Sequence, residues 1–146
     1  VIPILAAALV FSAAQAQALA YAYQVGGRDL AGIVYQESTG CARIRGKLDP
    51  RAIGCGQLHQ ETADAACGCA TTRQALELNW RYNIRLAARI LAACQAEFGE
   101  AGGITCYWLG APAARTKTRF YLEHSPYLRQ IRRRERELDD LPLSED

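Results

Sequence analysis

A chain of 146 residues, half of them hydrophobic, can bury one modest core but not two. Its 17 basic and 15 acidic side chains leave a formal charge of +2. So slight an excess excludes the strongly basic balance of a nucleic-acid or polybasic membrane-surface protein.

Residues 1–18, "VIPILAAALVFSAAQAQA", are apolar and Ala-rich and carry no charge. They end in two overlapping small-x-small triplets, Ala14-Gln15-Ala16 and Ala16-Gln17-Ala18. This is the pattern of the apolar stretch and cleavage site of a secretory signal peptide, without its basic n-region. The competing reading is an uncleaved anchor. The apolar run to Phe11 falls short of the ~20 residues a span requires, so no stable membrane span is expected.

The six cysteines, Cys41, Cys55, Cys67, Cys69, Cys94 and Cys106, all follow that leader. In a periplasmic or secreted domain they read as up to three disulfides, with the connectivity open. Cys67 and Cys69 are expected to pair elsewhere, because a bridge across one residue would be strained. A zinc site built from Cys55, His59, Cys67 and Cys69 lacks the usual paired Cys-x-x-Cys knuckles. Neither metal nor cofactor is expected, and His59 and His124 read as polar surface residues.

Helical periodicity begins at about Arg28 and runs to Ser38. Leu30, Ile33, Val34 and Glu37 fall at i, i+3, i+4 and i+7, and Gly40 supplies a stop. A Gly-, Pro- and charge-rich loop, "TGCARIRGKLDPRAIGCG", leads to a short helix from about Gln57. The strongest pattern, from about Thr72 to Phe98, places Leu76, Trp80, Ile84, Ala87, Leu91, Cys94 and Phe98 on one face. "GEAGG" closes it, "ITCYWLG" is a further helical segment ended by Pro112, and Ser125-Pro126 opens a last helix. No segment alternates with a two-residue period, so the fold class is mainly α, with long loops and disulfide support. The residues from 129 to 146 read as a charged, solvated C-terminal helix or tail with pairs such as Arg133–Glu137.

Glu37 is the candidate for chemistry. It lies on the apolar stripe, where desolvation favours the neutral carboxyl and makes it usable as a general acid near neutral pH. Four segments follow one another: "YQESTG" at 35–40, "AIGCGQLHQETA" at 52–63, "NIRLAARIL" at 83–91 and "CYWLG" at 106–110. In this order they resemble the soluble lytic transglycosylase (SLT) domain of the lysozyme-like superfamily. That family has Glu-Ser ending a helix, a Gly-Leu-Met-Gln segment, a long helix with Asn-Ile, and Ala-Tyr-Asn-x-Gly. The resemblance covers roughly residues 27–128, and the domain is drawn as 19–128.

The resemblance implies a single lysozyme-like helical domain with Glu37 as catalytic acid and Ser38 as its companion in contact with substrate. It implies Gly54 and Gln57 in the second motif, with Gln57 lining a sugar cleft, and Asn83 in a structural role. It implies Tyr107 and Gly110 in the last motif, with Tyr107 hydrogen-bonded to Glu37, and Trp108 beside it as a sugar contact. Cys55 and Gly56 replace the Leu-Met pair, and Trp108 stands where the family has Asn.

The implied reaction cleaves the bond between N-acetylmuramic acid and N-acetylglucosamine in peptidoglycan, with a 1,6-anhydro product and one glutamate as acid, then base. A lysozyme-type hydrolase needs a second acid about 5–9 Å away, for which Asp49, Glu61 and Asp64 are the nearby candidates. A non-catalytic glycan-binding or envelope-assembly protein is the rival from another class. The expected partners are peptidoglycan strands and, from size and export alone, an envelope-spanning secretion, conjugation or pilus machine. Nucleic acid is not expected.

Overall fold

The computed structural model describes residues 11–45 and 49–141. Seven helices make up the described fold: α1 Ala13–Ser38, α2 Gln60–Cys67, α3 Arg73–Leu78, α4 Trp80–Leu109, α5 Ala111–Ala114, α6 Arg119–Glu123 and α7 Pro126–Leu138. The only β pairing among the described residues is a pair of isolated bridges, Arg45 with Ile53 and Ile53 with Leu58.

α1 is two helical segments joined at Gly27, whose φ of 74° a side chain would resist. The second segment carries the apolar stripe, with Leu30, Ile33 and Val34 fully buried. It ends as its sequence proposes, with Thr39 and Gly40 both left-handed. The first segment takes in residues read as part of the leader. Residues 13–18 form its opening turns, and the Gln15 side chain donates to the Thr39 carbonyl at 3.1 Å. Residues 1–10, the rest of the expected leader, lie outside the described residues.

The helix expected from Thr72 to Phe98 is broken once. Asn79 ends α3 and caps α4, its Oδ1 accepting from the Tyr82 N–H at 3.0 Å. "GEAGG" then reverses α4 at Gly99, where φ is 81°. In a straight helix Cα atoms twelve residues apart would stand about 18 Å apart. Cys94 and Cys106 stand 5.7 Å apart and are disulfide-bonded, so the two limbs of α4 fold against each other. Pro112 does not end the second limb. Gly110 breaks the helix at φ 84°, and Pro112 falls in the first turn of α5.

Two further expectations are corrected. Gln57 does not start α2. It sits in a left-handed turn at φ 51°, and the helix begins three residues later, at Gln60. Cys67 and Cys69 do pair with each other, because Gly68 adopts φ 66° and folds the chain back over the end of α2. Their Cα atoms are thereby 5.1 Å apart, within the ordinary disulfide range. The third pair is Cys41–Cys55.

α4 packs against all six other helices, and α1 also packs against α7. The core combines Leu30, Ile33 and Val34 with Ile84, Leu91 and Ile104 of α4 and Leu128 and Ile131 of α7. A second, smaller cluster surrounds Cys94–Cys106 with Ala114 and Leu122. The residues set apart as a charged tail are mostly α7, and Ile131, Glu135 and Leu138 are buried. Arg133 and Glu137 do form an outer pair at 3.4 Å.

Glu135 is 0% exposed. Its carboxyl meets Arg28 and Arg132, both at 3.0 Å, and neighbours the Asp29 carboxyl. Asp29 in turn accepts from Arg132 at 2.7 Å and from Gln95 at 2.8 Å, while Arg28 reaches Asp139 at 2.8 Å. Gly32 allows this approach, since a Cβ there would come within 2.9 Å of the Glu135 side chain. Burial and then the neighbouring Asp29 push the Glu135 carboxyl up to about 7. A carboxyl raised in the folded state contributes stability below its unfolded value and loses it as pH rises through the folded one. Thermal unfolding should therefore show a loss of about 1–3 kcal/mol between about pH 5 and pH 8. Glu135→Gln should flatten that slope, and an unchanged slope would assign it to other groups.

Candidate active site

The site forms where the end of α1, the loop before α2, the second limb of α4 and the start of α7 meet. Glu37, in the last turn of α1, is half-buried. The Tyr127 hydroxyl donates a hydrogen bond of 2.5 Å to its Oε1. Burial raises the Glu37 carboxyl above its usual value, and the Tyr127 hydrogen bond lowers it in part. Burial, followed by the charge of Glu37, holds both Tyr127 and Tyr107 well above the usual phenol value. Both therefore stay neutral donors beside the acid.

Tyr107 does not make the bond to Glu37 that the resemblance implied. Its hydroxyl donates to the Gly56 carbonyl at 2.7 Å. That contact explains Gly56, because a Cβ there would stand 2.8 Å from the Tyr107 oxygen and 2.9 Å from the Ala87 Cβ. Trp108 follows on α4, 49% exposed, and its ring stacks on Tyr127 at 5.5 Å with 13° between planes. An exposed indole on a fixed phenol is a platform suited to the apolar face of a sugar ring.

Asn83 holds the loop. Fully buried on α4, its amide donates to the carbonyls of Ile53 and Leu76, both at 3.0 Å, and accepts from the Gly56 N–H at 2.8 Å. Gly54, at φ 74°, lies so close to Asn83 that no side chain would fit. The Gln57 amide donates to the Gly54 carbonyl at 2.9 Å and the Ile44 carbonyl at 3.3 Å. The Cys41–Cys55 disulfide ties this turn to the end of α1, with Cα atoms 4.5 Å apart.

Ser38 is placed differently from the substrate contact implied for it. It is 0% exposed, donating to the Val34 carbonyl at 3.1 Å and accepting from the Cys41 N–H at 2.9 Å. It shapes the exit from α1 and does not reach the surface.

A groove of about 470 Å³ is lined by Gln57, His59, Arg89, Tyr107, Trp108 and Gly110, among others. Glu37 is outside its wall and connects to it through Tyr127, beneath Trp108. His59 at its edge pairs with Asp49 at 2.5 Å. The Arg51 N–H and His59 hold the Asp49 carboxyl below its usual value. Asp64 accepts from the Thr71 N–H at 2.7 Å and its hydroxyl at 2.5 Å, so it serves its own loop. Of the residues weighed for zinc, Cys55 is disulfide-bonded to Cys41, Cys67 to Cys69, and His59 pairs with Asp49.

Tyr127 is the site residue the sequence did not single out. It comes from α7, 90 positions after Glu37, and shares the buried face of that helix with Leu128 and Ile131. An apolar periodicity marks the face for burial, but nothing local says which carboxyl a hydroxyl on it will meet.

No protein-family model, no curated protein and no solved structure matches this chain.

Because burial raises Glu37, its ionisation at neutral pH opposes folding. Its contribution to stability is present at acid pH and lost as pH rises through the raised value. Glu37→Gln keeps an acceptor for Tyr127 and removes the buried charge. At pH 7 it should melt at the same temperature as the parent or up to a few degrees higher, as calorimetry would read. A lower melting temperature would mean the carboxylate is held by more than Tyr127.

Proposed function

We propose that this chain is an exported, lysozyme-like peptidoglycan lytic transglycosylase with Glu37 as its single catalytic carboxyl. The observation that supports the reading most directly is a carboxyl raised by burial, bonded to one neutral tyrosine and flanked by an aromatic platform. The order of the four sequence motifs supplies the reaction. Protonated Glu37 gives its proton to the glycosidic oxygen as the bond to C1 of N-acetylmuramic acid breaks. The C6 hydroxyl of the same sugar attacks C1, and the Glu37 carboxylate takes the hydroxyl proton. A 1,6-anhydro ring forms, no water is consumed, and Glu37 ends protonated as it began.

Tyr127 serves both halves of this cycle. As a neutral donor it stabilises the transient carboxylate, and its bond keeps the carboxyl from rising too far to release its proton. Gln57 and Trp108 line the groove, and in this reading they hold the sugar chain along it. Three disulfides fit an oxidising compartment, and no described helix is long and apolar enough to cross a membrane. With the small-x-small triplets, they support export behind a cleaved leader. A domain of this size suits opening local gaps in the wall for an envelope machine. Even distribution over the envelope, with no partner on crosslinking, would remove that role.

Hydrolysis of the same bond is the second reading, favoured by the Asp49 carboxylate beside His59 at the groove.

Mass spectrometry of peptidoglycan digested by the protein separates the readings. Anhydro-muropeptides are expected, with Glu37→Gln slower by about 10²–10⁴-fold. Reducing ends would select the hydrolase and direct attention to Asp49. Binding without products, unchanged by Glu37→Gln, would select a non-catalytic glycan-binding protein.

The rate should fall as pH rises through the raised Glu37 value, since the acid must start protonated. Tyr127→Phe deletes the interaction that lowers it, so this alkaline limb should move to higher pH while the maximal rate drops. A limb that stays in place would separate the titrating acid from Glu37.

A further inference from the structure

The three disulfides differ in what they hold and in what can reach them. Cys41–Cys55 and Cys94–Cys106 join positions 14 and 12 apart, and Cys55, Cys94 and Cys106 are all buried. Cys67–Cys69 joins positions only 2 apart. Cys69 is exposed and Cys67 half-buried.

A cross-link stabilises mainly by restricting the unfolded chain, and its effect grows with the loop it closes. The bond across Gly68 therefore contributes least of the three. Nor does the local fold depend on it. The Asp64 carboxylate already holds Thr71, the Gln60 amide donates to the Thr71 carbonyl at 2.8 Å, and Arg89 reaches the Ala66 carbonyl at 3.4 Å. A reachable disulfide that the fold does not require is suited to exchange, since exchange rates depend on access to the attacked sulfur.

We propose that Cys67-Gly68-Cys69 is a thiol–disulfide exchange site that accepts two electrons from a dithiol. One thiolate of the dithiol attacks the exposed Cys69 sulfur, forming a mixed disulfide and releasing Cys67 as a thiolate. The second thiol of the substrate, deprotonated, attacks its own partner sulfur, closes the substrate disulfide and releases Cys69. Two thiols of the substrate are oxidised and two thiols of the protein are formed, so electrons and protons balance.

The direction of attack follows from the surroundings. The Tyr82 hydroxyl donates to the Cys67 sulfur at 3.4 Å, closer than its 3.9 Å from the Cys69 sulfur, and so favours Cys67 as the leaving thiolate. The C-terminal end of α2 disfavours negative charge there, which leaves Tyr82 as the group that assists departure. Exchange at this site is independent of Glu37 and of the glycan reaction.

The test is graded reduction of the full oxidised chain by dithiothreitol, with alkylation of released thiols and peptide mapping by mass spectrometry. Cys67 and Cys69 should be alkylated together at roughly tenfold lower reductant than the other four, with the circular dichroism spectrum unchanged. Tyr82→Phe should slow that step severalfold without changing the midpoint of thermal unfolding. The double variant Cys67→Ser/Cys69→Ser should fold and keep its two buried disulfides. All three bonds opening together would overturn the proposal. So would a peptide map joining Cys67 or Cys69 to another cysteine, or a double variant that does not fold.

Discussion

The hydrogen bond from Tyr127 to Glu37 joins the first helix to the last, and most of the architecture serves to make it possible. The carboxyl must be partly withdrawn from water to be raised, and its one donor must be held neutral and close. Both conditions require α7 to lie flat along α1. That docking rests on a charged cluster two turns further along, where Glu135 meets Arg28, Arg132 and Asp29, and on Gly32, which leaves room for Glu135. Burying a carboxyl such as Glu135 is costly unless it finds partners. Here the partners come from α1, α4 and α7 together, so the cluster specifies one arrangement of the three helices. Because the Glu135 carboxyl is raised to about 7, the same cluster makes that arrangement sensitive to pH near neutrality.

The other wall of the site is built from loop. The described residues between α1 and α2 carry only isolated bridges to satisfy their backbone, and a buried loop must have its polar groups paired. Asn83 does this from the middle of α4, bonding Ile53, Gly56 and Leu76 at once. The Cys41–Cys55 bond fixes the same loop to the end of the Glu37 helix. Cys55 and Gly56 each have a physical role in this setting. Cys55 supplies a covalent tie, and Gly56 leaves room for Tyr107 to reach its carbonyl. Gln57 holds a left-handed backbone that glycine would adopt more easily, and such a cost at a groove-lining residue is what a functional position commonly carries.

Much of this was legible before any coordinates. The stripe Leu30, Ile33, Val34 is buried as its spacing requires, Ser125 caps α7, and the glycines of "GEAGG" do end the first limb of α4. The misreadings share a cause. Gln57 reads as a helix start, Cys67 and Cys69 as too close to bond, and α7 as a solvated helix. Each depends on a backbone angle or a contact partner that adjacent residues do not specify. The left-handed turns at Gln57 and Gly68 decide the first two, and the burial of Glu135 by Arg28 and Arg132 decides the third.

The sequence by itself determined the helical class, the stripe that carries Glu37, the caps and breaks of most helices, and the order of motifs that suggests the chemistry. These are properties of near neighbours, set by periodicity, by glycine and proline angles and by capping side chains. The tertiary structure alone decided which tyrosine meets the acid, which cysteines pair, and that Ser38 faces inward. Those outcomes join residues as far as 90 positions apart. A hydroxyl or thiol finds its partner only after α4 has doubled back and α7 has docked on α1, and no local pattern encodes where that leaves it.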